Sequence, residues 1–221
     1  MRNFVKSYHA FLSSRLFQVL LYVLYPAVMI LCVCALLSIV SQFGMAVCVG
    51  YQLSANLLFA GEVVWGFLIF GGVAAKDTNK LEYLKTSAKG MSILKTALAA
   101  DVVRRFLWVT LIQLVPLFII HEKADENVWM ANAMVLLFAE MGCVLVRKSC
   151  SMAVFLAVMV GGTPFLSPLL GLSTWIVHLL WPIVLCYAVA VVVMVYNIKM
   201  VMKEARDSFY DDRNEKMSEA V

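Results

Sequence analysis

"LFQVLLYVLYPAVMILCVCALLSIVSQFGMAVCVGYQLSANLLFAG", residues 16–61, runs for 46 positions without a lysine, arginine, aspartate or glutamate. A helix needs about 20 apolar residues to cross the hydrocarbon of a bilayer, so this run holds two spans. Ser41, Gln42 and Gly44 interrupt it, which predicts spans over 18–40 and 45–74. A second charge-free run, residues 149–198, breaks around Gly161, Pro164, Pro168 and Gly171 and predicts spans over 149–164 and 173–198. Between the two runs lie apolar segments at 97–120 and 128–146.

The composition agrees. The 221-residue chain is 63% hydrophobic and 14% charged, against about half and a quarter in soluble domains. Its mean hydropathy is +0.88. The expected fold is an all-α polytopic membrane protein with six transmembrane helices.

Six spans place both termini on one side. That side then carries 17 of the 18 lysines and arginines, and only Lys123, in "HEKADEN", falls opposite. Cytoplasmic loops carry the excess of positive residues, so both termini and the 76–96 loop are expected in the cytoplasm. The net charge of +4 then reflects topology, and no nucleic-acid partner is implied. The six cysteines, Cys32, Cys34, Cys48, Cys143, Cys150 and Cys186, lie in or at the ends of predicted spans without a C-x-x-C pair. Reduced thiols packed as small hydrophobes are expected, with no metal site. The first span lacks a small-residue cleavage pattern, so no cleavable leader is expected.

Two cytoplasmic segments are amphipathic. In residues 1–17 Phe4, Val5, Tyr8, Phe11, Leu12, Leu16 and Phe17 draw one helical stripe, opposite Arg2, Lys6 and Arg15. Such a helix lies in the headgroup plane, held by apolar burial and by anionic membrane lipid. In "KDTNKLEYLKTSAKGMSILKT", residues 76–96, Leu81, Leu84, Ala88, Met91 and Leu94 recur at helical spacing among five lysines. Lysines alone explain topology; the apolar stripe predicts a partner groove.

Ionisable groups inside spans are functional candidates by default. Glu62 lies mid-span in "LLFAGEVVWG" and Glu140 in "LLFAEMGC", each without a cation one turn away. Asp101 and Arg105 are spaced i, i+4 and pair locally, which leaves Arg104 to meet Glu62 or Glu140 across helices. The two glutamates are expected to face a central cleft, either as interhelical ion pairs or as part of a translocation path. Asn56, with Gln52 and Ser54, adds hydrogen-bonding capacity to the second span.

An amphipathic start, six spans with both ends inside and a long loop between the second and third spans resemble the membrane subunit of an ABC exporter of the type-2 permease family. The stretch "KLEYLKTSAKGMSILKTALAADVVRR" is similar to that family's passage into its third span, although the proline often found before the coupling turn is absent. The short chain and small extracellular part resemble the compact permeases that export bacteriocins, phenol-soluble modulins or other amphipathic peptides. The resemblance implies a coupling helix that includes Leu81, Leu84, Lys85, Ala88, Met91 and Leu94, seated on a cytoplasmic ABC ATPase. It further implies a second permease copy, identical or similar, a peptide cargo and a bacterial plasma membrane. It makes residues 161–175 a re-entrant turn, with which a plain extracellular hairpin is equally compatible.

No G-x-x-x-x-G-K-[ST] occurs in the chain. No phosphate-cradling loop of that kind is present, so no cofactor is expected on this chain and ATP and Mg are expected on the partner. A lipid or drug permease is the close alternative. A solo six-span binding component of an energy-coupling importer explains neither amphipathic segment. An intramembrane enzyme lacks H-E-x-x-H, G-x-G-D and a Ser/His pair.

Overall fold

The computed structural model describes residues 2–9, 11–12, 14–42, 47–71, 73, 89–120, 126–148, 151–162 and 180–219, and these form helices and short turns with no strand among them. In chain order the helices are α1 (Arg2–His9), α2 (Arg15–Val19), α3 (Tyr25–Gln42), α4 (Val47–Phe70), α5 (Gly90–Ile120), α6 (Glu126–Lys148), α7 (Met152–Gly162) and α8 (Leu180–Glu219). A π-helical turn, Leu20–Leu24, joins α2 to α3, so that one continuous rod starts at Arg15. The wider turn ends two residues before Pro26, whose missing N–H and ring break the ordinary i→i−4 ladder.

Among the described residues five helices are long and apolar enough to cross a membrane: Arg15–Val40, Leu53–Phe70, Gly90–Ile119, Glu126–Lys148 and Trp181–Asp207. Large apolar side chains such as Leu31, Leu68, Phe118, Val160 and Val192 are more than half exposed. In water this surface would drive association; against lipid it costs nothing. The protein is an all-helical membrane protein.

Several predicted boundaries move. The stripe expected along residues 1–17 is split, because Ser14 caps a new helix by accepting the Phe17 N–H at 3.2 Å. The third span starts seven residues early, at Gly90, so 90–96 belong to the helix rather than to a loop. The segment expected as a fifth span contributes Met152–Gly162. Eleven residues rise ~16 Å, which is short of the ~30 Å hydrocarbon core. Residues 163–179, which include most of the expected re-entrant turn, lie outside the described residues. The last helix continues beyond residue 198, where the last predicted span ends, to Glu219.

Two extended apolar cores hold the bundle, beside a small third contact of Met130 with Ile183. The larger joins α3, α4, α5, α6 and α8 through Val33, Leu58, Phe59, Ile112, Leu136 and Met194. The smaller gathers Tyr8, Leu12, Leu21, Phe70, Leu94, Leu98 and Val201 at the lysine-bearing end. In lipid, close backbone approach replaces the hydrophobic drive between helices. Gly66 provides one such approach between α4 and α6, since a Cβ there would lie 2.5 Å from the Cys143 Sγ. Gly66→Ala should cost about 1–3 kcal/mol as an overpacking change when unfolding is followed in detergent. Adding Cys143→Ala should restore part of that loss.

Candidate functional site

Three arginines and three carboxylates meet inside the bundle. Asp101, Arg104 and Arg105 share one face of α5, because residues three and four apart on a helix are neighbours. Arg104 Nη2 lies 3.2 Å from Asp101 Oδ1, and Arg105 Nη2 lies 2.8 Å from Asp101 Oδ2. Glu62 of α4 bridges both cations, at 2.8 Å from Arg104 Nη2 and 3.2 Å from Arg105 Nε. Glu140 of α6 accepts from Arg105 Nη1 through Oε1 and from Asn197 Nδ2 of α8 at 2.8 Å through Oε2. Arg147, two turns after Glu140 on α6, donates to Asp101 Oδ2, and its guanidinium lies 5.3 Å from the centre of the Phe70 ring.

Two tyrosines complete the set. Tyr8 of α1 donates to Asp101 Oδ1 and Tyr25 of α3 donates to Glu62 Oε1, each at 2.9 Å. Burial, with the Asp101 carboxylate beside it, pushes the Tyr8 phenol well above its usual value. The hydroxyl therefore keeps its proton and acts as a donor. In all, α1, α3, α4, α5, α6 and α8 contribute to one cluster.

The six charged residues are between 0 and 6% exposed. With all of them ionised, three positive and three negative charges sum to zero. An isolated charge at this depth costs several kcal/mol or more, which pairing and hydrogen bonds offset. Asp101 lies eleven residues, ~16 Å, into α5, and Glu62 and Glu140 each lie ~12 Å from the Phe70 and Lys148 ends of their helices. The cluster therefore occupies the half of the bundle nearest Lys89, Lys148, Lys199 and Lys203.

The arrangement suits a lock rather than acid–base work. Arginine stays cationic throughout the accessible range, and no histidine belongs to the set. Among the described residues no group of three or more His, Cys, Asp or Glu could hold a metal ion. Cys143, which is fully buried, donates weakly to the Glu62 carbonyl at 3.9 Å. Arg147 keeps unused capacity, since its Nε and Nη1 have no hydrogen-bond partner among the described residues.

Against the expectations from sequence, Glu62 and Glu140 are both fully buried, packed against arginines and not facing an open cleft. Arg104 reaches Glu62, whereas Glu140 goes to Arg105. Asn56 lies half-buried on α4, six residues from Glu62 toward the other end of the helix. Met91 and Leu94 pack within the chain: Leu94 is buried in the smaller core and Met91 packs against it, beside Tyr8 and Leu12. Leu81, Leu84, Lys85 and Ala88 lie outside the described residues.

Sequence reasoning passes over Arg147, Tyr8, Tyr25 and Asn197. Two signals are available. Glu140 and Arg147 are seven apart, hence on one helix face, and Asn197 is the only side-chain amide in the second charge-free run. Tyr8→Phe tests the tie to α1. A hydrogen bond to a charged acceptor is worth about 1.5–3 kcal/mol, and its loss should speed hydrogen exchange in α1 while α6 stays protected.

A second feature is an apolar cleft of about 360 Å³ between α4, α6 and α7, lined by Phe59, Phe138, Leu145 and Val158 among others. Comparison of the chain with protein-family models, curated proteins and solved structures finds no match.

Proposed function

We propose that this chain is the transmembrane subunit of an ATP-driven ABC exporter of the type-2 permease kind. In this reading it has six spans, with both termini in the cytoplasm of a bacterial cell, and works in a bacterial plasma membrane paired with a second, identical or similar, copy. A separate ATPase holds ATP and Mg. The cargo class is an amphipathic or hydrophobic peptide, with lipid or drug as the alternative.

One observation carries the reading. The end of the stretch that resembles a coupling segment, from Gly90 on, belongs to α5, whose Arg104 and Arg105 pair with Glu62 and Glu140 and whose Asp101 accepts from Tyr8. A helix is stiff along its axis, and a fully paired charge cluster resists sliding because each broken pair strands a buried charge. A push on the Gly90 end of α5 therefore reaches α1, α4 and α6 as one body. The apolar cleft supports a hydrophobic cargo, because lipid-like ligands need few polar contacts.

Co-expression of the tagged chain with the genes flanking its own provides the test. Purification in mild detergent should yield a stoichiometric ATPase, and that ATPase should be lost on Leu81→Asp/Leu84→Asp. A chain that purifies alone and binds a small molecule without an ATPase would move the solo binding component into first place.

A further inference from the structure

We propose that the apolar cleft between α4, α6 and α7 holds one acyl chain of a membrane phospholipid, which enters sideways from the bilayer. The cleft has a volume of about 360 Å³. Its ten lining residues are all apolar or glycine, so among the described residues no lining side chain carries a charge, a hydroxyl or an amide.

Glycines make the space. A Cβ at Gly162 would lie 2.4 Å from Phe59 Cζ, so the Phe59 ring rests on the backbone of α7 and closes the inner wall. A Cβ at Gly142 would lie 3.0 Å from Val158 Cγ1, which is how closely α6 and α7 approach. A Cβ at Gly161, by contrast, would meet nothing within 4 Å. The rim faces outward, since Met141 and Leu145 are half exposed.

Position and chemistry select the occupant. From Phe138 to Leu145 the α6 wall runs ~10 Å along its helix, and Lys148 follows about one turn later. The cleft therefore lies within the hydrocarbon, in the half of the bundle that holds the charge cluster. Water finds no polar partner in it, and apolar cavities stay dry. Left empty, its lining would forfeit dispersion contacts along its whole length. A peptide segment laid in it would bring N–H and C=O groups against a wall that bonds neither. A second copy is poorly matched, because ten lining residues fall well short of the roughly 20–30 a side in a stable protein interface. An acyl chain is narrow, has no polar group to satisfy and is already present at that depth. The proposal needs only that α6 and α7 lie in a bilayer, so it is independent of the exporter reading; a hydrophobic cargo using the cleft would have to displace this chain.

Photolabelling tests it. The full chain is reconstituted in phosphatidylcholine bearing a diazirine midway along one acyl chain, illuminated, and mapped by peptide mass spectrometry. Val192 and Val195 of α8 are the reference, because both are exposed. Val195 also shares the depth of Phe138: each lies two residues before Asn197 or Glu140, which are bonded to one another. Labelling of Phe138, Met141, Val154 and Ala157 should exceed that of the two valines several-fold. Gly161→Phe, whose Cβ has room and whose ring fills the cleft, should bring it down to the α8 level. Ala157→Leu, at an exposed position that tolerates a larger side chain, should lower it as well. Equal labelling of cleft and valines, or an excess that survives both variants, would overturn the site. Labelling weaker at the cleft than at the valines would mean that protein covers it, a second copy foremost, and would overturn the lipid.

Discussion

Arg105→Met should cost about 3–5 kcal/mol, the usual penalty for removing one partner of a buried ion pair. Arg105 is fully buried and donates to Glu62, Asp101 and Glu140. Its loss leaves three carboxylates against two guanidiniums, a net negative charge buried inside the bundle. Unfolding by heat in detergent reads the loss directly. The decisive comparison is with the double variant Arg105→Met/Glu140→Gln, in which two acids again face two cations. It should be more stable than Arg105→Met alone, giving a coupling energy of at least about 1 kcal/mol, within the range known for contacting residues. Additive losses would mean that the six groups do not act as one balanced unit, and the lock would be abandoned.

The second large effect concerns coupling. If the chain seats on an ATPase through the stripe before α5, Leu81→Asp/Leu84→Asp should abolish cargo-stimulated ATP hydrolysis while insertion and yield stay unchanged. Two carboxylates placed in an apolar groove cost several kcal/mol in desolvation alone. Met91 and Leu94 are unsuitable for this test. They pack beside Tyr8 and Leu12, so a charge there would detach α1 and confuse instability with uncoupling. Wild-type coupling in the Leu81/Leu84 variant would remove the docking idea. The charge cluster would survive that result, since it does not depend on an ATPase.

The spans are the most legible feature because their signal is compositional and local. A membrane helix satisfies its own backbone, and apolar length alone marks it. The exception is instructive. Residues 149–164 are as apolar as the other segments; the described residues there form α7, Met152–Gly162, and Pro164, Pro168 and Gly171 are turn-forming residues that a hydropathy count overlooks. The start of α5 escapes a sequence reading for the opposite reason. Lys95 and the serines around it read as loop, but Lys95 is exposed and an exposed polar face does not break a helix.

The charge cluster divides along the same line. That Asp101 pairs with Arg105 follows from their spacing. That Arg104 goes to Glu62, and that Arg147 and Tyr8 both reach Asp101, does not. The partners of these bonds stand 42, 46 and 93 residues apart, and no periodicity in one helix says which face of another it meets. In the sequence Arg147 reads as a topology signal at the end of a span, where a long side chain ordinarily turns outward to water. In the fold it turns inward over Phe70, because the smaller core places that ring and Asp101 within its reach.

From the sequence alone came the class of protein, most of its spans and the residues that carry charge into them, since each is set by composition or by spacing within one helix. Tertiary structure alone decided that α1 packs on α5, and that six scattered ionisable side chains close into one neutral cluster. Long-range pairing depends on how helices cross, and a buried charge accepts whichever partner that crossing brings within about 3 Å.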